Sequence, residues 1–170
     1  MGTGVGVGIV SGSRAIYGVS HPEGGHIKVG RYPGDTFEGT CPFHGDCIEG
    51  LVSTGAIAAR LKISRKELAE LKDDHPVWDL VAFYLGSFCM TLLLVASPEK
   101  IVIGGGVLNR GILYGGVRSH FLKLLNDYMK QDQVSAVNIG NYIVSSRFGS
   151  QAGAIGSLYL AKKALSSDSL

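Results

Sequence analysis

Four side chains are set out as if to hold one metal ion. His26, Cys41, His44 and Cys47 form the pattern H-x14-C-x2-H-x2-C. Imidazole and thiolate are the ligands zinc prefers, and four of them close a tetrahedral shell. The two-residue spacings let Cys41, His44 and Cys47 fold around one ion, with Pro42 and Gly45 supplying the turn. His26 closes the shell from the preceding segment, where His21 competes for the same place. A shell built wholly from protein leaves no position for water, so the expected role is to hold the loop. The plainer reading is a polar loop with two reduced cysteines.

The same loop carries acids that the metal does not need. Glu23 stands three residues before His26 and Glu49 two after Cys47. Beside a rigid ion both could accept hydrogen bonds from a hydroxylated ligand; otherwise they are solvated loop acids. A second feature is Gly2-Thr3-Gly4-Val5-Gly6, which looks like a loop that approaches phosphate through its backbone. Such loops usually follow a strand, and here nothing precedes it. Either it is a terminal tail or the sequence is the back portion of a longer protein.

The elements that must position these residues follow from pattern. Residues 5–10 and 15–20 read as two short strands joined by the turn Ser11-Gly12-Ser13-Arg14. Residues 20–50 are rich in Gly, Pro and His, a long structured loop of the kind that normally carries function. A helix is expected over 51–61, and Ser64 with Glu67 is a capping-box start for a short helix through Leu71. Pro76 sits in the first turn of a long apolar helix. Ile101-Val102-Ile103 is a buried strand ending in Gly104-Gly105-Gly106. A helix over 112–129, a strand over 141–145 and a closely packing helix over 152–165 complete the chain, leaving a frayed tail at 166–169. Strands alternating with helices mean an α/β fold with a parallel or mixed sheet.

Composition removes several classes. The chain has 170 residues, room for one domain, and 45 % of them are hydrophobic, which excludes disorder. Sixteen Lys and Arg against fourteen Asp and Glu leave a net charge of +2, too little for a phosphate-binding nucleic-acid surface. Glycine, at 25 of 170, is about twice its usual share of about 7 %. Three cysteines, with Cys89 in an apolar run, suit a reducing compartment. No signal peptide is read, and Gly6 stands where a myristoylation motif needs Ser or Thr. The chain therefore reads as cytoplasmic. Residues 80–98 are free of charge for 19 positions, but their polar residues and acidic flank favour a buried central helix over a membrane span.

With these motifs assembled, the sequence resembles the ROK family of sugar kinases and sugar-responsive repressors. The resemblance rests on GTGVG at 2–6, HPEGGHI at 21–27, CPFHGDCIEG at 41–50, IVIGGGV at 101–107 and FGSQAGAIGSLYLA at 148–161. His44, where general family members have a third cysteine, looks like the bacterial-type fructokinase branch. The resemblance implies the C-terminal lobe of an actin-like (ribonuclease-H-like) ATPase with an inserted zinc loop over about 20–50. All of 1–170 would be one domain, and the N-terminal lobe with the catalytic aspartate would lie upstream of Met1. It further implies that Glu23, His26 and Glu49 bond sugar hydroxyls, with His26 also a zinc ligand. Gly2, Thr3 and Gly4 would hold ATP phosphates, and Gly104, Gly105 and Gly106 would approach the nucleoside. Structural Zn2+ and ATP with Mg2+ are the implied cofactors, sugar and ATP the partners, and a homodimer the assembly. Two rival readings remain: a non-catalytic sugar-binding or regulatory module of the same family, and a small zinc-stabilised dimerisation domain. On the kinase reading this chain alone is inert.

Overall fold

A computed structural model describes residues 1–167. Its centre is the expected apolar helix, Val77–Ala96 (α4). Pro76 occupies the N-cap, one place earlier than the first turn, and the helix stops where Ser97 turns left-handed (φ 43°) ahead of Pro98. Val81, Tyr84, Leu85, Phe88 and Cys89 are buried on it. The helix Ile112–Leu125 (α5) packs along α4 and buries Leu113, Val117, Phe121 and Leu125. By length and composition α4 could cross a membrane, yet half of its most apolar window is buried inside the molecule. Its last turn differs from the buried-helix expectation: Leu94 and Val95 are exposed.

Strand pairing is sparse. Val10–Ser11 (β1) and Arg14–Ala15 (β2) form an antiparallel hairpin in register Val10↔Ala15. The strands expected over 5–10 and 15–20 therefore shrink to two residues each. Gly6 and Gly8 weaken the first, and residues 5–9 have no neighbouring strand to pair with. Ile101–Ile103 (β3) forms as expected and pairs in parallel with Ile143–Ser145 (β4). That strand starts two residues later than expected because Ile139–Tyr142 is a helical turn (α6).

The helix expected over 51–61 is two, Ile48–Val52 (α1) and Thr54–Leu61 (α2). Buried Ser53 divides them: its backbone is extended, and its Oγ accepts the Ala56 N–H at 3.2 Å, so it caps α2. Arg65–Glu70 (α3) has the anticipated capping box between Ser64 and Glu67. α5 ends at Leu125, not Met129, since Asn126 and Asp127 both take positive φ. The final helix, Ala152–Ser167 (α7), runs through two residues of the expected tail, and positions 168–170 lie outside the described residues. Close packing was expected of α7, but Leu158, Tyr159, Leu160 and Leu165 are exposed.

Candidate metal and sugar site

The loop before α1 folds on itself through two bridges, Cys41↔Gly45 and Lys28↔Cys47. Gly45 N–H donates to Cys41 O at 2.9 Å, closing the Pro42–His44 turn, and Ile48 N–H donates to Ile27 O at 2.9 Å. These bonds carry His26, at the end of a one-turn 3₁₀ helix over Gly24–His26, onto the Cys41–Cys47 hairpin. The donor atoms of His26, Cys41, His44 and Cys47 all lie within 4.8 Å of one another. Cys41 Sγ is 3.6 Å from Nδ1 of both His26 and His44, and Cys47 Sγ is 3.6 Å from His26 Nδ1. A tetrahedral ion with Zn–S of about 2.3 Å and Zn–N of about 2.05 Å puts S and N about 3.6 Å apart. The four residues therefore fit such an ion. His21 does not compete: its Nε2 pairs with Glu23 at 2.7 Å.

Both thiols are buried, and their acidities part. Burial opposes ionisation of Cys41, but hydrogen bonds from the Phe43 and His44 backbone, Cys47 and His44 outweigh it and hold the thiol at about 6. Burial pushes Cys47 up, helped by the neighbouring Cys41. One thiolate forms readily, and a metal would complete ionisation of the second.

The glycine segments converge on this loop. Glu49, in the first turn of α1, accepts the Val5 N–H on Oε2 at 3.0 Å. Gly25 lies so close to the Val5 carbonyl that a Cβ would meet its oxygen at 1.8 Å, so only glycine fits. Gly2 O accepts from both the N–H and the Oγ1 of Thr54 at 2.8 Å, at the N-terminus of α2. Gly105, at φ 106°, packs against the Met1 backbone, and Met1 N donates to Gly104 O at 2.5 Å. Gly2–Gly4 and Gly104–Gly106 thus border one region, with Glu49 between the first segment and the metal cluster. Thr3 is exposed and makes no printed bond. Glu23 is exposed and turned to His21, so it does not share the Glu49 side of the loop bonding.

Behind the cluster lies a network that the spacing did not reveal. Asp35, its side chain 5 % exposed, receives Arg60 Nη1 at 2.5 Å and the Tyr84 hydroxyl. Arg31 donates to the carbonyls of Asp35 and Phe37 and lies 3.6 Å from Asp46, next to Cys47. Burial alone would raise the Asp35 carboxyl, but Arg60 and Tyr84 hold it below its ordinary value. As a loop acid Asp35 gave no sign of this, because Arg60 and Tyr84 stand far along the chain.

The ROK family model matches residues 1–164. The fructokinase of Pediococcus pentosaceus is 36 % identical over 165 residues, covering 97 % of this chain and 54 % of the relative. The fructokinase of Streptococcus mutans serotype c is 37 % identical over 167 residues, covering 96 % and 54 %. The chain spans about half the length of the curated relatives it matches. Among solved structures, a ROK family glucokinase from Streptomyces griseus, in complex with glucose and AMPPNP, superposes with a TM-score of 0.71 at 22 % identity. That match covers 96 % of this chain and 59 % of the glucokinase, so the mixed α/β fold described above is shared with ROK sugar kinases. The glycine segments, the histidine–cysteine loop and the fold agree with the family match over nearly the whole chain: it belongs to the ROK family.

Proposed function

We propose that this chain is the C-terminal lobe of an actin-like, ATP-dependent hexose kinase of the cytoplasm, with fructose as substrate and fructose 6-phosphate as product. The observation that carries this reading is the bond from Val5 N–H to Glu49 Oε2, which joins the glycine segment to the metal loop. A sugar bound beside Glu49 would thereby face a phosphate held by Gly2, Thr3 and Gly4. Zinc on His26, Cys41, His44 and Cys47 would supply a closed, rigid anchor for the loop. Glu49, His26 and, after a turn away from His21, Glu23 would bond the sugar hydroxyls. Gly104–Gly106 would leave room for the nucleoside.

In the transfer, the sugar hydroxyl oxygen bonds to the γ-phosphorus of ATP as the bond to the ADP oxygen breaks. Mg2+ bridging the phosphates would spread the charge. The hydroxyl proton passes to a carboxylate, which we place outside this chain. Asp35 and Asp46 are held in ion pairs with Arg60, Arg31 and Lys28, and Asp79 is held by His120. Positioning and charge stabilisation supply most of the remaining effect.

The test joins this chain to the half of the Pediococcus pentosaceus fructokinase that it does not cover. ADP release from Mg-ATP is then followed with fructose, glucose or mannose. Sugar-dependent turnover is expected, highest with fructose, and Glu49→Ala should lower kcat/KM at least tenfold while bound zinc is retained. A fusion that folds and holds zinc but releases no ADP with any of the sugars would overturn the proposal.

A further inference from the structure

The largest apolar recess of the molecule lies away from the metal loop. It is a groove of about 420 Å³ between the segment over 5–10 and β3, floored by Leu85, Phe88 and Cys89 of α4. Both walls are backbone edges without a partner. Among the described residues β3 has one strand neighbour, β4, so its other edge is open. Gly6, Val7 and Gly8 make no backbone hydrogen bond. Open edges beside apolar walls are the setting in which an extended segment adds as a strand.

Its direction can be read from Met1. Met1 N donates to Gly104 O, and Met1 O accepts from Val107 N at 3.4 Å, so the backbone at Met1 lies against the C-terminal end of β3. A segment lying in the groove on the line of Met1 would run parallel to β3. Residues 5–10 would flank it antiparallel on the other side, after the turn at Gly2–Gly4. Being covered by α4 beneath and paired on both edges, such a strand would be a continuous apolar run. The relatives carry nearly as much chain again as this one spans.

We infer that the groove between residues 5–10 and β3 takes one extended apolar strand, parallel to β3, supplied by the half of a ROK protein that this chain does not span. This rests on family membership and not on the kinase reading, because docking needs neither sugar nor nucleotide. The experiment mixes this chain with the uncovered half of the Pediococcus pentosaceus fructokinase and follows light scattering and amide hydrogen exchange. A one-to-one complex is expected, with exchange at 6–9 and 101–103 slowed at least tenfold. Val102, 59 % exposed on β3, can be changed without touching the core, and Val102→Lys should weaken the complex at least tenfold. Gly8→Pro, which removes an N–H from the other wall, should do the same. Because halves from different proteins can fail to find each other, that half is also joined directly ahead of Met1, where the same protection is expected. Absence of protection in the joined protein, or protection confined to other surfaces, overturns the inference. So does a dimer of this chain alone with the same protected residues, which would give the groove to a second copy.

Discussion

The Arg60 guanidinium lies 4.3 Å over the Phe37 ring and reaches Asp35, which also takes the Tyr84 hydroxyl from α4. Removing the Asp35 charge leaves a buried guanidinium uncompensated, a change that typically costs about 3–5 kcal/mol. Asp35→Asn should therefore lower stability by that order in denaturant titration, and Tyr84→Phe by about 1–3 kcal/mol. The pH dependence follows from the lowered Asp35 carboxyl. Its contribution is complete above the unfolded value of about 3.9 and is lost as pH falls through the lower folded value. Acid titration of Asp35→Asn should show a shallower loss of stability below about pH 4 than the parent. At the metal cluster, protein purified without chelator should carry one zinc per chain, and Cys47→Ser should abolish that stoichiometry. At this scale the cluster was legible, because its spacing is local. The acid behind it was not, because Arg60 and Tyr84 reach Asp35 only through the fold.

Among the elements, α4 and α5 depend on two small residues. A Cβ on Gly86 would sit 2.8 Å from Phe121 N and 2.9 Å from Val117 O, and one on Gly116 would meet Ala82 Cβ at 2.7 Å. The facing atoms at Gly86 are backbone, so the helices would have to part. Gly86→Ala should destabilise by about 1–3 kcal/mol despite alanine's better helix propensity, read as a lowered thermal midpoint. Phe88→Ala should cost about 3–5 kcal/mol, and half-buried Leu92 less. The sequence located α4 to the residue, since a charge-free run between Pro76 and Pro98 admits few other readings. It joined α1 to α2 because alanine content hides a cap: Ser53 reads as a tolerable helix residue until its Oγ is seen on Ala56. It lengthened the early strands because alternation was visible while the missing neighbour strand was not.

For the molecule as a whole, the decisive question is what the chain does alone. A terminal Gly2–Gly4 was expected to fray. The structure holds it instead, with Gly2 O bonded by Thr54 and the Val5 N–H by Glu49. Loss of order at the phosphate-type loop is therefore not the reason to expect inactivity. The reason is the missing proton acceptor. A positioned base contributes about 10²–10⁴-fold, and the carboxylates that the fold gathers near the loop are engaged. Asp35 is locked between Arg60 and Tyr84, Asp46 faces Lys28 and Arg31, and Glu49 accepts a backbone N–H. Incubated with Mg-ATP and fructose, glucose or mannose, this polypeptide should release no sugar-dependent ADP. Weak sugar binding at Glu49 should still shift the backbone resonances of His26 and Glu49 without nucleotide. Turnover by the chain alone would mean that one of these acids leaves its partner to take the proton. Asp46→Asn and Glu49→Gln would then identify which, as the variant in which ADP release disappears while zinc stays bound.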